Sequence, residues 1–335
     1  MNVNTRSVLC DPELVDVRDA HLRRLEGLFC REQPARPFFL QGIYGDAVSD
    51  PYTQPEHWLD ESLDYLAEKQ QDARSAEVFR PLCLEFGAYN VHFTDRILGA
   101  RVYQDGGRWW TECIKSQIGH LPVPNLETDE TWRLARSVAE AFVSREISVP
   151  LFGMPVIAGA LTVAVSIYGG CFLEAMLINP EAAVHDLKII NDVTCQLYQW
   201  YRDHVPAQQL QQVGAASRCM PPGHVSVYGC TSHLVSTQLY RDHVAPLDEE
   251  VLSMSASGGL IHLCGEHCQH IGAWREMASL RAIQLNDRAS EDLEQYLTGL
   301  RDDQIIYLQP TATMTVERAL AITNGERIVM VSDGA

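Results

Sequence analysis

The sequence predicts an α/β fold in which parallel strands form a sheet that helices cover. From about residue 37 to the end of the chain, strand-like runs alternate with helix-like runs. The strand-like runs are continuously apolar, which is typical of strands buried on both faces of a parallel sheet. No repeat, low-complexity tract or linker divides the sequence, so we expect one domain over residues 1–335.

The first predicted element is an amphipathic helix near the N-terminus. Leucine and valine recur at helical intervals between residues 12 and 29, and charged residues lie between them. We expect this helix to belong to an N-terminal helical extension, residues 1–36, that packs outside the strands.

Short β-rich runs that end in glycine or polar turn residues follow this extension. The predicted strands lie within residues 37–45, 78–87, 148–159, 224–229, 258–265, 280–285 and 304–309. Helical stretches between them cover residues 57–73, 180–205 and 236–254. An open doubly wound sheet produces a similar alternation. No strand is followed by a GxGxxG or GxxxxGK[ST] loop, however, so the phosphate-binding version of that fold has no support.

Composition and charge exclude several classes of protein. The chain is 46% hydrophobic and 21% charged, which is typical of a globular protein. Its 44 acidic and 26 basic residues give a net charge of -18, so we expect neither a nucleic acid nor an anionic membrane as a partner. The N-terminus lacks the apolar core of a signal peptide, and we expect a cytoplasmic protein whose ten cysteines are reduced.

His262 and Cys264 form the strongest candidate for a functional site. They are separated by one residue near the end of a predicted strand, so their side chains point to the same face. Imidazole and thiolate are both good zinc ligands, and a zinc ion with an open coordination position can hold a substrate thiol as its thiolate. The alternative is a packed histidine beside a buried cysteine.

A zinc site needs a third protein ligand, and Cys230 is the preferred candidate. It follows the predicted strand at residues 224–229, whose end should lie beside the end of the strand that carries the other two ligands. The alternative for Cys230 is an inert cysteine in a turn. Further candidates, from the loop after Cys264, are Glu266, His267, Cys268 and His270.

Glu85 is the candidate catalytic residue. It lies within the apolar run PLCLEFG, where a carboxylate is costly unless it is paired or used in catalysis. The alternative is a structural salt bridge to Arg80 or Arg96. Polar residues that follow the predicted strands are candidates for binding a small-molecule substrate, although turns also favour such residues. They are Gln41, Tyr44, Asn90, His92 and Asn286.

Four segments, in this order along the chain, resemble the uroporphyrinogen decarboxylase superfamily. They are FGAYNVHFTDRILGARVYQDGG (86–107), GGCFLEAMLINPEAAVHDLKIINDVT (169–194), SHLVSTQLYRDHVAPL (232–247) and LIHLCG (260–265). That superfamily includes decarboxylases and zinc methyltransferases that serve corrinoid proteins or thiol acceptors. The resemblance extends from about Arg36 to the end of the chain. It implies a single (β/α)8 TIM barrel whose working site lies at the C-terminal ends of the strands.

Two departures from the family's pattern narrow the expected function. True uroporphyrinogen decarboxylases carry an arginine-rich loop after the first strand, which holds the substrate's carboxylates, but this sequence has no arginine between Arg36 and Arg74. Methyltransferases of the family usually take a further zinc ligand from a cysteine near the C-terminus. No cysteine follows Cys268 in this sequence.

The resemblance therefore predicts a methyltransferase in which zinc activates a thiol acceptor and a corrinoid protein delivers the methyl group. One alternative is a metal-independent decarboxylase that acts on a small or tetrapyrrole-like carboxylate, for which Glu85 would matter more. The other is a barrel that binds a ligand without catalysis.

Overall fold

Strands and helices alternate through most of the chain in the computed structural model, which describes residues 1, 3–31, 36–211 and 218–332. The strands are β1 (Phe38–Leu40), β2 (Ile43–Tyr44), β3 (Val78–Phe79), β4 (Leu82–Glu85), β5 (Arg101–Asp105), β6 (Arg108–Glu112), β7 (Leu151–Gly153), β8 (Leu210–Gln211), β9 (Val225–Tyr228), β10 (Gly259–Leu263), β11 (Leu280–Leu285), β12 (Ile305–Leu308) and β13 (Ile328–Val331).

The helices before residue 210 are α1 (Val3–Leu9), α2 (Pro12–Phe29), α3 (Pro55–Glu68), α4 (Phe93–Ile97), α5 (Glu130–Ser144), α6 (Ala160–Tyr168), α7 (Cys171–Ile178) and α8 (Pro180–His204). The later ones are α9 (Thr237–Leu239), α10 (Ala245–Ser253), α11 (Ile271–Glu276), α12 (Leu293–Gly299) and α13 (Val316–Thr323). A π-helical turn over Tyr240–Val244 joins α9 to α10.

Most strands pair in parallel, as the apolar runs predicted. A seven-stranded sheet has the order β3-β1-β13-β12-β11-β10-β9, and a four-stranded sheet has the order β2-β4-β7-β8. Strands β5 and β6 form a separate antiparallel hairpin. The structure therefore has the predicted mixed α/β architecture with a mostly parallel sheet.

The backbone pairing of the described residues does not close into the single ring that a TIM barrel requires. On one side the two sheets are continuous, because Gln41 donates to Phe79 O (2.9 Å) and Ile43 donates to Pro81 O (2.9 Å) between the paired strands. On the other side, the pairing found among the described residues is an isolated bridge between Ala158 and Tyr228 of β9. Proline at position 155, just after β7, has no amide proton and cannot extend the ladder.

Helix α2 lies across the ends at which several strands begin. Arg24 donates to Glu77 O (3.0 Å) just before β3, and Arg281 of β11 donates to Phe29 O (3.0 Å). The N-terminal extension therefore does not simply pack outside the strands. The apolar face of α2 shares a core cluster with alternate residues of the strands. The cluster includes Leu22, Leu25 and Phe29 of α2 and Leu40, Cys83, Leu260, Ala282 and Tyr307 of the two sheets.

Among the described residues, no single helix has both the length and the apolar character needed to cross a membrane. Helices α6 and α7 meet that test of length and composition only as a pair, which is bent by 115°.

Asp248 of α10 is a buried acid that hydrogen bonds connect to the π-helical turn and to α11. Its Oδ2 accepts a hydrogen bond from the Tyr240 hydroxyl (2.7 Å), which in turn accepts one from Trp274 Nε1 (2.8 Å). Burial raises the pKa of Asp248 to about 7, and the bond from Tyr240 opposes that shift only in part. The carboxyl group is therefore largely protonated in the folded protein under mildly acidic conditions.

We predict that Asp248→Asn removes a pH-dependent contribution to stability. The folded chain holds this proton up to about pH 7, whereas the unfolded chain releases it near the ordinary pKa of 3.8. The stabilising contribution is therefore complete below about pH 4 and is lost as the pH rises through 7. Urea unfolding of both proteins across this range tests the prediction. The difference in free energy of unfolding, wild type minus variant, should fall with rising pH; a constant difference would contradict it.

Candidate metal centre

The parallel pairing of β9 with β10 brings the three predicted metal ligands together. Tyr228 is the register partner of His262, and the Gly229 amide donates to His262 O (3.0 Å). Cys230 and Cys264 each lie two residues beyond this pair, at the ends of neighbouring strands. The potential ligand atoms of Cys230, His262 and Cys264 all lie within 4.8 Å of one another.

His262 has the tautomer and the charge that a metal ligand needs. Its ring is only 6% exposed, and Nδ1 lies 2.7 Å from Gln284 Oε1. That oxygen can only accept, so Nδ1 carries the proton and Nε2 presents a lone pair. Burial, helped by the positive charge of Arg218, lowers the pKa of His262 to about 3, so the imidazole is neutral at physiological pH.

The two cysteines share a hydrogen bond that makes them chemically different. The bond from the Cys230 thiol lowers the pKa of Cys264, although partial burial opposes this shift. The same bond and burial together raise the pKa of Cys230. Without a metal, Cys264 is therefore the more acidic thiol, and the nearby Arg218 guanidinium favours the thiolate form of both.

Arg218 and Gln284 are hydrogen-bonded to each other beside the cluster, and neither was predicted from the sequence. Gln284, on the neighbouring strand β11, is the register partner of His262 and is completely buried. Arg218 Nε also donates to Gln284 Oε1, and its guanidinium lies 5.0 Å from the centre of the Tyr228 ring. The sequence does contain a signal for Gln284. A side-chain amide inside the apolar run LRAIQL needs a hydrogen-bond partner if it is buried. No local pattern marks Arg218.

The other predicted ligand candidates lie outside the three-residue cluster. His267 uses both ring nitrogens in hydrogen bonds, to Ser232 Oγ (3.0 Å) and to the Gly265 amide (3.2 Å). His270 Nε2 lies 2.9 Å from Ser232 O. Burial, reinforced by the Asp292 charge, raises the pKa of Cys268 to about 12. Glu266 does not belong to the cluster either.

The first predicted strand contributes to a different cleft. Gln41 and Tyr44 line a cleft of about 700 Å³ together with Tyr65 of α3, and the cysteines and histidine of the metal cluster are not part of its lining. Gln41 Oε1 accepts a hydrogen bond from Arg80 Nε (2.8 Å). The role of Gln41 and Tyr44 in binding a substrate stays a prediction.

Glu85 and Asn286 both lie at C-terminal strand ends, as predicted from the sequence. Glu85 ends β4, is partly buried and pairs in register with Gly153. Asn286 follows β11, and its amide donates to Leu263 O (2.9 Å), which places it beside the strand end that carries Cys264. Its side-chain Oδ1 is buried without a hydrogen-bond partner. Catalysis by Glu85 and substrate binding by Asn286 stay predictions.

His92 belongs to a hydrogen-bonded group around a buried carboxylate. Its Nδ1 lies 2.7 Å from Asp95 Oδ2, and the same oxygen accepts hydrogen bonds from Thr111 (2.9 Å) and Ser166 (2.5 Å). These contacts tie α4 to the β5–β6 hairpin and to α6. Asn90, two residues before His92, is exposed and has a φ of 49°. Substrate binding by these two residues is untested.

Comparison with known proteins supports the fold. No family model matches the sequence, and no curated protein matches it. Among solved structures, a methyltransferase from Methanosarcina mazei is similar, with a TM-score of 0.64 and 11% sequence identity. The match covers 93% of this chain and 92% of that chain. At this low identity, the likeness establishes a shared fold alone.

We predict that Cys264 reacts faster with iodoacetamide than the other partly buried thiols of the two strand-end loops, Cys230 and Cys268, when the protein is free of metal. The thiolate is the nucleophile, and the hydrogen bond from Cys230 stabilises it. Cys230→Ala should therefore slow alkylation of Cys264 near neutral pH, whereas Cys268→Ala should not. Time-resolved mass spectrometry measures both rates. Equal rates at Cys264 in the wild type and the Cys230→Ala variant would show that the hydrogen bond has no such effect.

Proposed function

We propose that this chain is a zinc-dependent methyltransferase in which a metal at Cys230, His262 and Cys264 activates a thiol acceptor. The observation that carries the proposal is the convergence of these three ligand atoms within 4.8 Å. We propose further that the two sheets belong to a (β/α)8 barrel of the uroporphyrinogen decarboxylase superfamily. The similarity in fold to a protein described as a methyltransferase supports the proposed activity, and the four resembling segments of the sequence support the proposed superfamily.

The donor set fits zinc better than it fits the common alternatives. Two thiols and one imidazole suit a tetrahedral zinc ion, whereas magnesium and calcium prefer oxygen ligands. Zinc–sulfur bonds of about 2.3 Å at a tetrahedral angle hold two sulfur atoms about 3.8 Å apart. Side-chain adjustments of about 1 Å are therefore enough to bring these ligands onto one ion.

Three protein ligands leave a fourth coordination position, which is typical of catalytic rather than structural zinc. Zinc bound there would supply Lewis acidity that lowers the pKa of an incoming thiol. The chain's own residues prepare the site. Gln284 orients the His262 ring, and the positive charge of Arg218 favours deprotonated Cys230 and Cys264.

The source of the methyl group in this proposal is a corrinoid carried by a partner protein. This part rests on the resemblance of segments such as LIHLCG to the zinc methyltransferases that serve corrinoid proteins. The short spacing between Cys230 and Cys264 offers a replacement for the C-terminal cysteine that those enzymes usually supply.

We predict that the purified wild-type protein binds one zinc ion per chain and that Cys264→Ala and Cys230→Ala each weaken zinc binding strongly. Each substitution removes a direct bond to the metal. Cys268→Ala is the matched control, because this thiol lies nearby but outside the cluster. Elemental analysis after dialysis and competition with a chelator measure stoichiometry and affinity.

The zinc-loaded protein should then demethylate methylcobalamin in the presence of a small thiol, and metal removal should abolish this activity. Zinc binding without methyl transfer to any thiol in a broad panel would contradict the proposed reaction. A wild-type protein that binds no zinc would favour the metal-independent alternatives, in which Glu85 acts as the catalytic carboxylate or the fold only binds a ligand.

A further inference from the structure

We propose that His267 is a positioning residue that holds the two cysteines of the metal centre at their working separation. The inference rests on the proposed metal centre and concerns two loops. The first loop, residues 229–234, follows β9 and carries Cys230. The second loop, residues 264–270, follows β10 and begins with Cys264.

The hydrogen bonds of His267 connect these two loops directly. In the second loop, the Gly265 amide donates to His267 Nε2 (3.2 Å). Toward the first loop, His267 Nδ1 lies 3.0 Å from Ser232 Oγ. Ser232 Oγ in turn donates to Gly229 O (2.8 Å). Gly265 is adjacent to Cys264, and Gly229 is adjacent to Cys230. The series of hydrogen bonds therefore ends, on both sides, at the backbone of the residue next to a cysteine.

Only one protonation state of His267 is compatible with this series of hydrogen bonds. A backbone amide can only donate, so Nε2 must present a lone pair to Gly265. Nδ1 then carries the proton and donates a hydrogen bond to Ser232 Oγ, whose hydroxyl donates to Gly229 O. Both ring nitrogens of His267 are used in these bonds, so the ring has no nitrogen left for a metal. This is why His267 supports the centre instead of ligating it.

The packing around His267 gives the bonds a fixed geometry. The ring is completely buried, and its centre lies 5.3 Å from that of His233 and 6.2 Å from that of Trp274. A Cβ atom at Gly265 would lie only 3.3 Å from His267 Nε2 and 3.3 Å from His233 Nδ1. Glycine at this position therefore allows the imidazole to approach the backbone beside Cys264.

Further contacts act on the same loops, among them a hydrogen bond from Gln269 Nε2 to His233 O (3.3 Å), but they do not replace His267. His270 Nε2 lies 2.9 Å from Ser232 O, and His233 Nδ1 lies 2.7 Å from Cys230 O. The His270 contact reaches the first loop from a point six residues beyond Cys264, and the His233 contact lies within the first loop. Among these histidines, His267 is the one bonded to the residue next to Cys264. Its loss should loosen the thiol pair without detaching the loops.

The first test compares zinc affinity in His267→Phe, which keeps a buried ring but loses both bonds, with that in the wild type. Loss of a residue that orients metal ligands typically weakens metal binding by about 10- to 100-fold. His224→Phe is the matched control, because His224 is also buried and bonded, to Pro221 O (2.9 Å), but precedes β9 at the opposite end of that strand. Its zinc affinity should equal that of the wild type.

Conservative variants separate positioning from simple stability. His267→Gln keeps an oxygen that can accept from the Gly265 amide, so it should recover part of the affinity. Ser232→Ala removes the acceptor of the Nδ1 proton with little change in volume, and it tests the same bond if His267→Phe fails to fold. The absorption spectrum of the cobalt-substituted proteins should show altered thiolate-to-cobalt bands in His267→Phe and Ser232→Ala but not in His224→Phe.

A second test needs no metal and therefore separates this inference from the proposed function. Diamide oxidises two adjacent thiols to a disulfide, since the two electrons and two protons that the thiols lose reduce the diazene to a hydrazine. Mass spectrometry of the metal-free protein follows formation of the Cys230–Cys264 bond. His267→Phe should form it several-fold more slowly than the wild type and His224→Phe.

The outcomes are distinct. Wild-type zinc affinity together with a wild-type cross-linking rate in the His267→Phe and Ser232→Ala variants would overturn the inference. If the wild type binds no zinc, the proposed function fails, and the cross-linking rates alone decide whether His267 positions the thiols. Slower cross-linking in the variants would then still support its role.

Discussion

The register between β9 and β10 is the constraint on which the candidate site depends. Neighbouring strands lie about 4.8 Å apart, so the register pair Tyr228 and His262 determines that Cys230 meets Cys264 just beyond the strand ends. A shift of one residue would turn His262 and Cys264 to the opposite face of the sheet. The three ligand atoms can share one ion only in the observed register.

Polar residues that contact the ligands give His262 the tautomer and the charge that metal binding requires. A buried histidine without a partner would be free to rotate or to bond through either nitrogen. Gln284 prevents this because its Oε1 accepts a hydrogen bond from His262 Nδ1. Burial and the Arg218 charge then lower the pKa of His262 and keep its ring neutral, which is the state that binds metal. Buried hydrogen bonds of this kind are costly to break, because each partner would be left unsatisfied.

Much of this architecture could be predicted from the sequence because its signals are local. The apolar runs at residues 258–265 and 280–285 contain β10 and β11 almost residue for residue. The proximity of Cys230 to the His262–Cys264 pair followed from parallel strand ends.

The last strand, β13, was missed although it pairs with both β12 and β1, because its short run lies between polar segments and its partners are distant in sequence. The gap in strand pairing between the two sheets beside β7, and the position of α2, also depend on long-range contacts and could not be predicted from local sequence. For the same reason, the sequence suggested His267 as a ligand, whereas in the structure both of its ring nitrogens are hydrogen-bonded, to Ser232 and to Gly265.

X-ray absorption at the zinc edge tests most directly whether Cys230 completes the metal centre. In the zinc-loaded wild-type protein, we expect two sulfur neighbours at about 2.3 Å, with nitrogen or oxygen neighbours at about 2.0–2.1 Å. Cys230→Ala, loaded at a zinc concentration high enough to fill the site, should show one sulfur neighbour. The same number of sulfur neighbours in both proteins, or none in the wild type, would contradict the proposed centre.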